Sequence, residues 1–145
     1  MSNISYRDFL TQTLNLNPRE KVVIAHGALE KIIIYAESLD ASKEDIIDLI
    51  LNLTKLFVSS DVKLVKDEYD FFRAVTDFEV DSNRFYELTN GGADPDFIDH
   101  SLEFFSHLPK DVLEAVLTYG MMVMACDDNI DYQESDLIKR IIALF

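Results

Sequence analysis

Four carboxylates occupy matched positions in two similar segments of this sequence. The segments begin at Asp61 and Asp127 and share the pattern D-x-x-[LI]-x-x-x-E-x-D-[FL]-[FI], which places their glutamates at Glu68 and Glu134. Carboxylate oxygens are the ligands that Ca²⁺, Mg²⁺ and Mn²⁺ prefer in proteins. If the segments face each other across a two-fold axis, these four side chains converge, with Asp128 beside them. The pattern therefore predicts a divalent-cation site.

A second interpretation of the same carboxylates needs no metal. An Asp at the end of a turn accepts hydrogen bonds from backbone N–H groups, and a Glu in the first helical turn complements the helix dipole. An EF-hand is excluded, because a loop that ends with Glu134 has Val123 and Ala125 at its first and third ligand positions. Helix capping and cation binding both stay open as interpretations of the acidic segments.

A set of histidines and carboxylates elsewhere could bind a transition metal such as Zn²⁺. Its members share one face of a helix: Asp96, His100, Glu103 and His107. A solvent-exposed face with acid–histidine pairs explains the same spacing without a metal. The sequence has no glycine-rich phosphate loop and no G-x-S-x-G nucleophile motif, so we predict no enzymatic activity.

The strong negative charge limits the classes of partner. The 145 residues include 27 acidic and 13 basic side chains, for a formal net charge of −14. Such a surface repels nucleic-acid phosphates and anionic membranes, and it favours cations or basic protein surfaces. The chain is 48% hydrophobic, which is enough to bury a core, and its 4 Gly and 3 Pro favour helices.

No segment of the sequence is typical of a membrane span or an export signal. The most apolar stretch, residues 22–39, is interrupted by a histidine and three charged residues, which makes it too polar to cross a bilayer. The N-terminal residues lack the basic start and apolar core of a signal peptide. The single cysteine, Cys126, cannot form an internal disulfide and fits a reducing compartment. We therefore expect a cytoplasmic protein without membrane insertion.

Capping signals divide the chain into helices. A short helix is expected over residues 5–14, and the next begins at Pro18, with Asn17 as N-cap and Glu20 completing a capping box. Apolar residues at helical spacing continue that helix through a β-branched run. Its interior Gly27 costs about 1 kcal/mol relative to Ala, and we expect a close helix crossing there. Further capping residues predict helix starts at Ser42, at Asp81 or Ser82, and at Asp94.

The second half of the chain supplies the centre of the fold. The helix that follows Asp94 has an apolar stripe made of Phe97, Ser101, Phe104 and Leu108. After Pro109 comes a helix that is apolar on nearly every side, which predicts a central position. The sequence ends in an apolar segment, residues 142–145, which must pack on its own core, on a partner such as a second copy of the chain, or on a region that follows it.

These elements predict an all-α fold. We expect a bundle of seven or eight helices in which two related helix–acidic turn–helix hairpins form a pseudo-two-fold repeat. The whole of residues 1–145 forms one domain in this prediction, with repeats at about 42–78 and 109–145.

The repeated element resembles the TerB-like family of tellurite-resistance and stress-response proteins. That family has a D-G-x-[IL]-x-x-x-E pattern after a helix that ends in small residues, and the N-terminal region of some membrane-anchored DnaJ-type co-chaperones is similar. The matching small, acidic and apolar positions in this chain are Ser59, Asp61, Leu64 and Glu68 in the first copy and Ala125, Asp127, Ile130 and Glu134 in the second. Val62 and Asp128 replace the family's glycine.

The resemblance covers about residues 46–145 and carries expectations of its own. It implies an all-helical fold with internal two-fold similarity, a role in stress-response assemblies, metal binding by the acidic residues, and no enzymatic activity. We therefore predict a stress-response binding module that binds divalent cations at its acidic turns and docks protein partners. The alternative is a purely structural or protein-interaction helical domain with no metal site.

Overall fold

The chain folds into helices. A computed structural model describes residues 15–57, 62–76, 80–89, 94–124 and 132–145. These residues form seven α-helices and no strand, which confirms the all-α prediction. The helices are α1 (Pro18–Ser38), α2 (Lys43–Phe57), α3 (Val62–Val75), α4 (Ser82–Thr89), α5 (Pro95–Ser106), α6 (Lys110–Met124) and α7 (Tyr132–Ile142). The helix predicted over residues 5–14 lies outside the described residues.

Local capping sets the starts of four helices, as the sequence predicts. At α1 the Glu20 N–H donates to Asn17 Oδ1 at 2.8 Å, and the Asn17 N–H donates to Glu20 Oε1 at 3.1 Å. Ser42 and Asp45 form the same reciprocal pair at α2. Asp81 caps α4 and Asp94 caps α5. Each carboxylate accepts a hydrogen bond of 2.8 Å from a backbone N–H group. These bonds satisfy N–H groups that the first helical turn leaves without partners.

Helix α6 is the centre of the fold. It packs against α1, α2, α3 and α7, and 11 of its 15 residues are buried. Its exposed side carries Glu114, whose carbonyl accepts a hydrogen bond from the Thr118 hydroxyl at 2.9 Å. A helix that is apolar nearly all round is stable in water only when other elements surround it. The predicted central position of this helix is therefore confirmed.

The C-terminal residues pack mainly on the chain's own core. Ile138 and Ile141 are completely buried, and Ile142 and Leu144 pack against the single apolar cluster to which all seven helices contribute. Phe145 is 42% exposed. Within the described residues, the apolar end of the chain is thus largely satisfied without a second copy.

Helix α1 lies along α6 and forms with it the most extensive helix pair among the described elements. Its buried face includes the small residues Ala25, Ala28 and Ala36, which let the two helices approach closely. Its outer face exposes Val23 and Ile34. None of the described helices combines the length and the hydropathy needed to cross a membrane.

The expected close crossing at Gly27 is wrong for the described part of the chain. A Cβ added at Gly27 meets no described atom within 4 Å, because the residue lies on the exposed side of α1. The close approach occurs at Gly120 instead. A Cβ there would overlap the ring of Phe57 in α2, so the α2–α6 packing requires glycine at this position.

The two glycines give a matched test of this packing. We expect Gly120→Ala to lower the free energy of unfolding by about 1–3 kcal/mol, because the added methyl overpacks the core against Phe57. Gly27→Ala should raise it by about 1 kcal/mol, because alanine has the better helix propensity and the site is open. Urea unfolding followed by circular dichroism measures both. Equal stability of Gly120→Ala and the unaltered protein would contradict the described α2–α6 contact.

Candidate functional site

The predicted cation ligands fall where the structure gives no description of their side chains. Asp61, Asp127 and Asp128 lie outside the described residues. Glu68 and Glu134 belong to α3 and α7 by their backbone, and their side chains also lie outside the description. Among the side chains that are described, no three His, Cys, Asp or Glu residues come together as a metal site. Cation binding at the acidic turns therefore stays a prediction.

The histidine and carboxylate face of α5 does not assemble a transition-metal site in the described structure. His107 Nε2 lies 3.3 Å from Glu103 Oε1, and both side chains are 76% exposed. His100 is also exposed and lines a groove on the protein surface. This part of α5 matches the second interpretation of the sequence, a solvated face with an acid–histidine pair.

An apolar cavity lies between α1, α2, α5 and α6. Its volume is about 160 Å³. All but one of its lining residues have entirely apolar side chains, and the exception is Tyr35. The lining residues are Ile32, Tyr35, Ala36, Leu39, Ala41, Leu49, Leu53, Phe104, Leu108, Val112 and Val116. The cavity is partly open to solvent, and an apolar group that enters it removes its own surface and that of the lining from water.

A second depression of about 190 Å³ continues the cavity along α5. The two share Leu49, Leu53 and Phe104 and are therefore adjacent, and together we call them the apolar groove. The remaining residues of the second part are Asn52, Phe97, His100, Ser101 and Phe105. At its far end the ammonium group of Lys55 lies 5.0 Å from the centre of the Phe97 ring, a cation–π contact that covers this aromatic side chain.

The end of α1 fixes one rim of the groove. Asp40 adopts a left-handed conformation with φ of 62°. Its N–H donates to the Glu37 carbonyl at 3.0 Å, and the Ala41 N–H donates to the Ala36 carbonyl at 3.2 Å. These two bonds form a Schellman motif that closes the helix, with Asp in the position that glycine usually occupies. The preceding Leu39 is held at the rim and is 64% exposed.

Helix α5 forms another rim of the groove. The apolar stripe that the sequence predicts for this helix is only partly buried. Phe104 was expected inside, but it is 50% exposed, while the neighbouring Phe105 is 1% exposed. Helix α5 packs between α2 and α7, and the Arg140 guanidinium of α7 donates to Asp99 of α5 at 2.9 Å. With neighbours on two sides, α5 turns Phe105 inward and presents Phe104 to the groove.

One buried charged residue was missed in the sequence analysis. Lys21, in the first turn of α1, is 1% exposed and has an interaction partner in the structure. A buried ammonium group requires such partners, because removing it from water is costly. The helical spacing of Lys21 with the buried Ala25 and Ala28 is the signal that could have identified it.

Comparison with known proteins gives no relative for this chain. A scan against protein-family models finds no match, and searches of curated proteins and of solved structures find none either. The geometry of the described residues is therefore the basis for any functional argument, and the TerB-like resemblance stands as a proposal.

The two neighbouring phenylalanines of α5 provide a test of the groove. We expect Phe105→Ala to lower the free energy of unfolding by about 3–5 kcal/mol, because it leaves a cavity in the core. Phe104→Ala should change it by less than about 1 kcal/mol, because half of that side chain is already in water. Urea unfolding curves of the two variants measure the difference. If the larger cost belongs to Phe104→Ala, the described orientation of α5 is wrong.

Proposed function

We propose that this chain is a non-enzymatic binding module whose docking surface is the apolar groove. The observation that carries the proposal is the apolar cavity lined in part by the exposed side chains of Leu39 and Phe104, which the described residues leave unfilled. Protein interiors are close-packed, and an unfilled apolar cavity loses the dispersion contacts that a filled one has. An apolar group that enters the groove restores these contacts and removes its own surface from water.

The chemistry of the lining supports binding in preference to catalysis. Along the whole groove, the side chains with polar atoms are Tyr35, Asn52, His100 and Ser101. The lining contains no carboxylate, cysteine or lysine, which are the groups most often paired with histidine or serine in nucleophilic or acid–base catalysis. The groove thus offers apolar contact area with a few hydrogen-bonding groups at one end, as binding sites do.

The wider identity that we propose is a TerB-like, cytoplasmic stress-response module. Support for the internal repeat comes from helix order, because the first acidic segment follows α2 and leads into α3, and the second follows α6 and leads into α7. Helices α2 and α6 have 15 residues each and pack against one another. The single cysteine supports the reducing compartment. In this proposal residues 42–78 and 109–145 are the two related hairpins.

Cation binding at the acidic turns is the second function that we propose. Its support is the matched placement of the acidic segments, because each directly follows one of the two helices α2 and α6, which pack against one another. Ca²⁺, Mg²⁺ or Mn²⁺ would bind to oxygen atoms of Asp61, Glu68, Asp127 and Glu134, with Asp128 as a further ligand.

Thermal unfolding of EDTA-treated protein tests the cation proposal. An ion present at 100 times its Kd should stabilise the fold by about 2.7 kcal/mol and raise Tm by several degrees. Asp61→Asn and Asp127→Asn should abolish this increase, whereas Glu87→Gln, at an exposed acid outside the repeats, should retain it. Asparagine caps helices as well as aspartate does. An absence of any ion-dependent shift therefore leaves the four carboxylates as helix caps.

A neutral fluorescent dye tests the docking groove. We expect 1-aminoanthracene, which the negative charge of the protein does not repel, to bind with saturation and increased emission. Ala36→Leu, which enlarges a buried side chain of the lining, should weaken the affinity by at least about tenfold, a difference of 1.4 kcal/mol. Phe104→Ala should also weaken the affinity for the dye, and this substitution leaves the buried core unchanged.

Ile34→Ala is the matched control for these groove variants. Ile34 is 66% exposed on the same helix as Ala36 and Leu39 and does not line the groove. Its substitution should leave dye binding unchanged, and circular dichroism should show that all variants are folded. Equal dye affinity in the unaltered protein, Ala36→Leu and Phe104→Ala would overturn the proposed docking surface.

A further inference from the structure

We propose that the apolar groove takes an amphipathic α-helix whose polar face is basic. This inference rests on the proposed docking function and names the class of partner. It follows from three properties of the groove: its few hydrogen-bonding groups, its length along α5, and the charge of its rim.

The apolar lining selects a helix over an extended peptide. An extended segment needs partners for its backbone N–H and C=O groups, and burial without them is costly. The lining of the cavity presents no polar surface, and the polar side chains of Asn52, His100 and Ser101 lie in the second part of the groove. A helix satisfies its own backbone groups and can present an apolar face alone.

The length of the groove fits about three turns of a partner helix. It follows α5 and its C-terminal end from Phe97 to Leu108, a distance of about 16 Å at 1.5 Å per residue. Apolar residues at positions i, i+4, i+7 and i+11 of a partner span a similar distance on one helical face. The exposed side chains of Leu39 and Phe104 both line the cavity and would contact such a residue.

The charge of the rim selects a basic polar face. The residues directly next in sequence to those that line the groove include seven exposed carboxylates and one lysine, Lys31. A second lysine, Lys55, lies over the Phe97 ring, so acidic groups still outnumber the lysines. Three of the seven have basic or histidine partners: Asp48 with Arg84, Asp99 with Arg140 and Glu103 with His107. No ion pair involving the other four occurs in the described part of the chain, and these are Glu37, Asp40, Asp96 and Asp111.

The same charge argues against a second copy of this chain as the occupant. Each copy has a formal net charge of −14, and docking a second copy would bring like charges together around an acidic rim. A basic helix is instead attracted by these carboxylates, which increases its association rate and orients it in the groove.

Fluorescence anisotropy with rhodamine-labelled peptides tests the partner class. The probe is an amphipathic peptide of about 18 residues, five helical turns, with leucine on one face and lysine on the other. A second peptide has glutamate at every lysine position. We expect the lysine peptide to bind with saturation and the glutamate peptide to bind at least tenfold more weakly. Raising NaCl from about 50 to about 500 mM should weaken binding of the lysine peptide several-fold.

Two pairs of variants separate local recognition from general attraction. Leu39→Ala combined with Phe104→Ala should reduce the affinity for the lysine peptide by at least about tenfold. Its control combines Ile34→Ala with Phe145→Ala, at exposed apolar residues outside the groove. Glu37→Lys with Glu103→Lys should reduce the affinity several-fold, whereas Asp70→Lys with Glu87→Lys, an equal charge change on α3 and α4, should not.

Each outcome has a defined meaning. Equal loss of affinity in the rim and control charge variants, or equal binding of the two peptides, would overturn the proposed basic helix. If neither peptide binds while the neutral dye still binds and Ala36→Leu still weakens it, the partner class is wrong and the docking groove stands. A concentration-dependent dimer in sedimentation velocity that Phe104→Ala converts to monomer would make a second copy the occupant and overturn the proposal.

Discussion

The burial of α6 is the constraint on which the rest of the structure depends. With 11 of 15 residues buried, this helix needs neighbours on almost every side, and α1, α2, α3 and α7 provide them. The fit to α2 is specific, because Gly120 leaves room for the Phe57 ring. A buried hydrogen-bonded pair joins the same two helices, since the hydroxyls of Tyr119 and Thr54 lie 2.6 Å apart and Thr54 also donates to the Ile50 carbonyl at 2.7 Å.

The groove is a consequence of how the other helices surround α6. Helix α1 packs extensively against α6, and near the start of α6 the buried side chains of Val112 and Val116 also line the cavity. Leu39 at the end of α1 and Phe104 on α5 stand beside this cavity without closing it. The apolar surface available to another molecule is therefore mainly that of Leu39 and Phe104.

Shape and charge lead to the same class of partner. The groove provides apolar contact area, which favours association but does not select among apolar partners. The exposed carboxylates next to its lining provide the selection, because they attract basic surfaces and repel acidic ones. This division also gives the large negative charge of the chain a local role in recognition, in addition to its general contribution to solubility.

The sequence alone determined the features that depend on neighbours within one or two helical turns. The capping pairs at Asn17 and Asp94 need only residues three positions away, and the apolar composition of α6 was sufficient to predict its central position. The tertiary structure alone decided which face each surrounding helix buries: Phe105 points inward and Phe104 outward, Gly27 is exposed, and the groove joins residues from Ile32 to Val116. The physical reason is that a helix with several apolar faces can bury any of them, and the choice depends on neighbours that are distant in sequence.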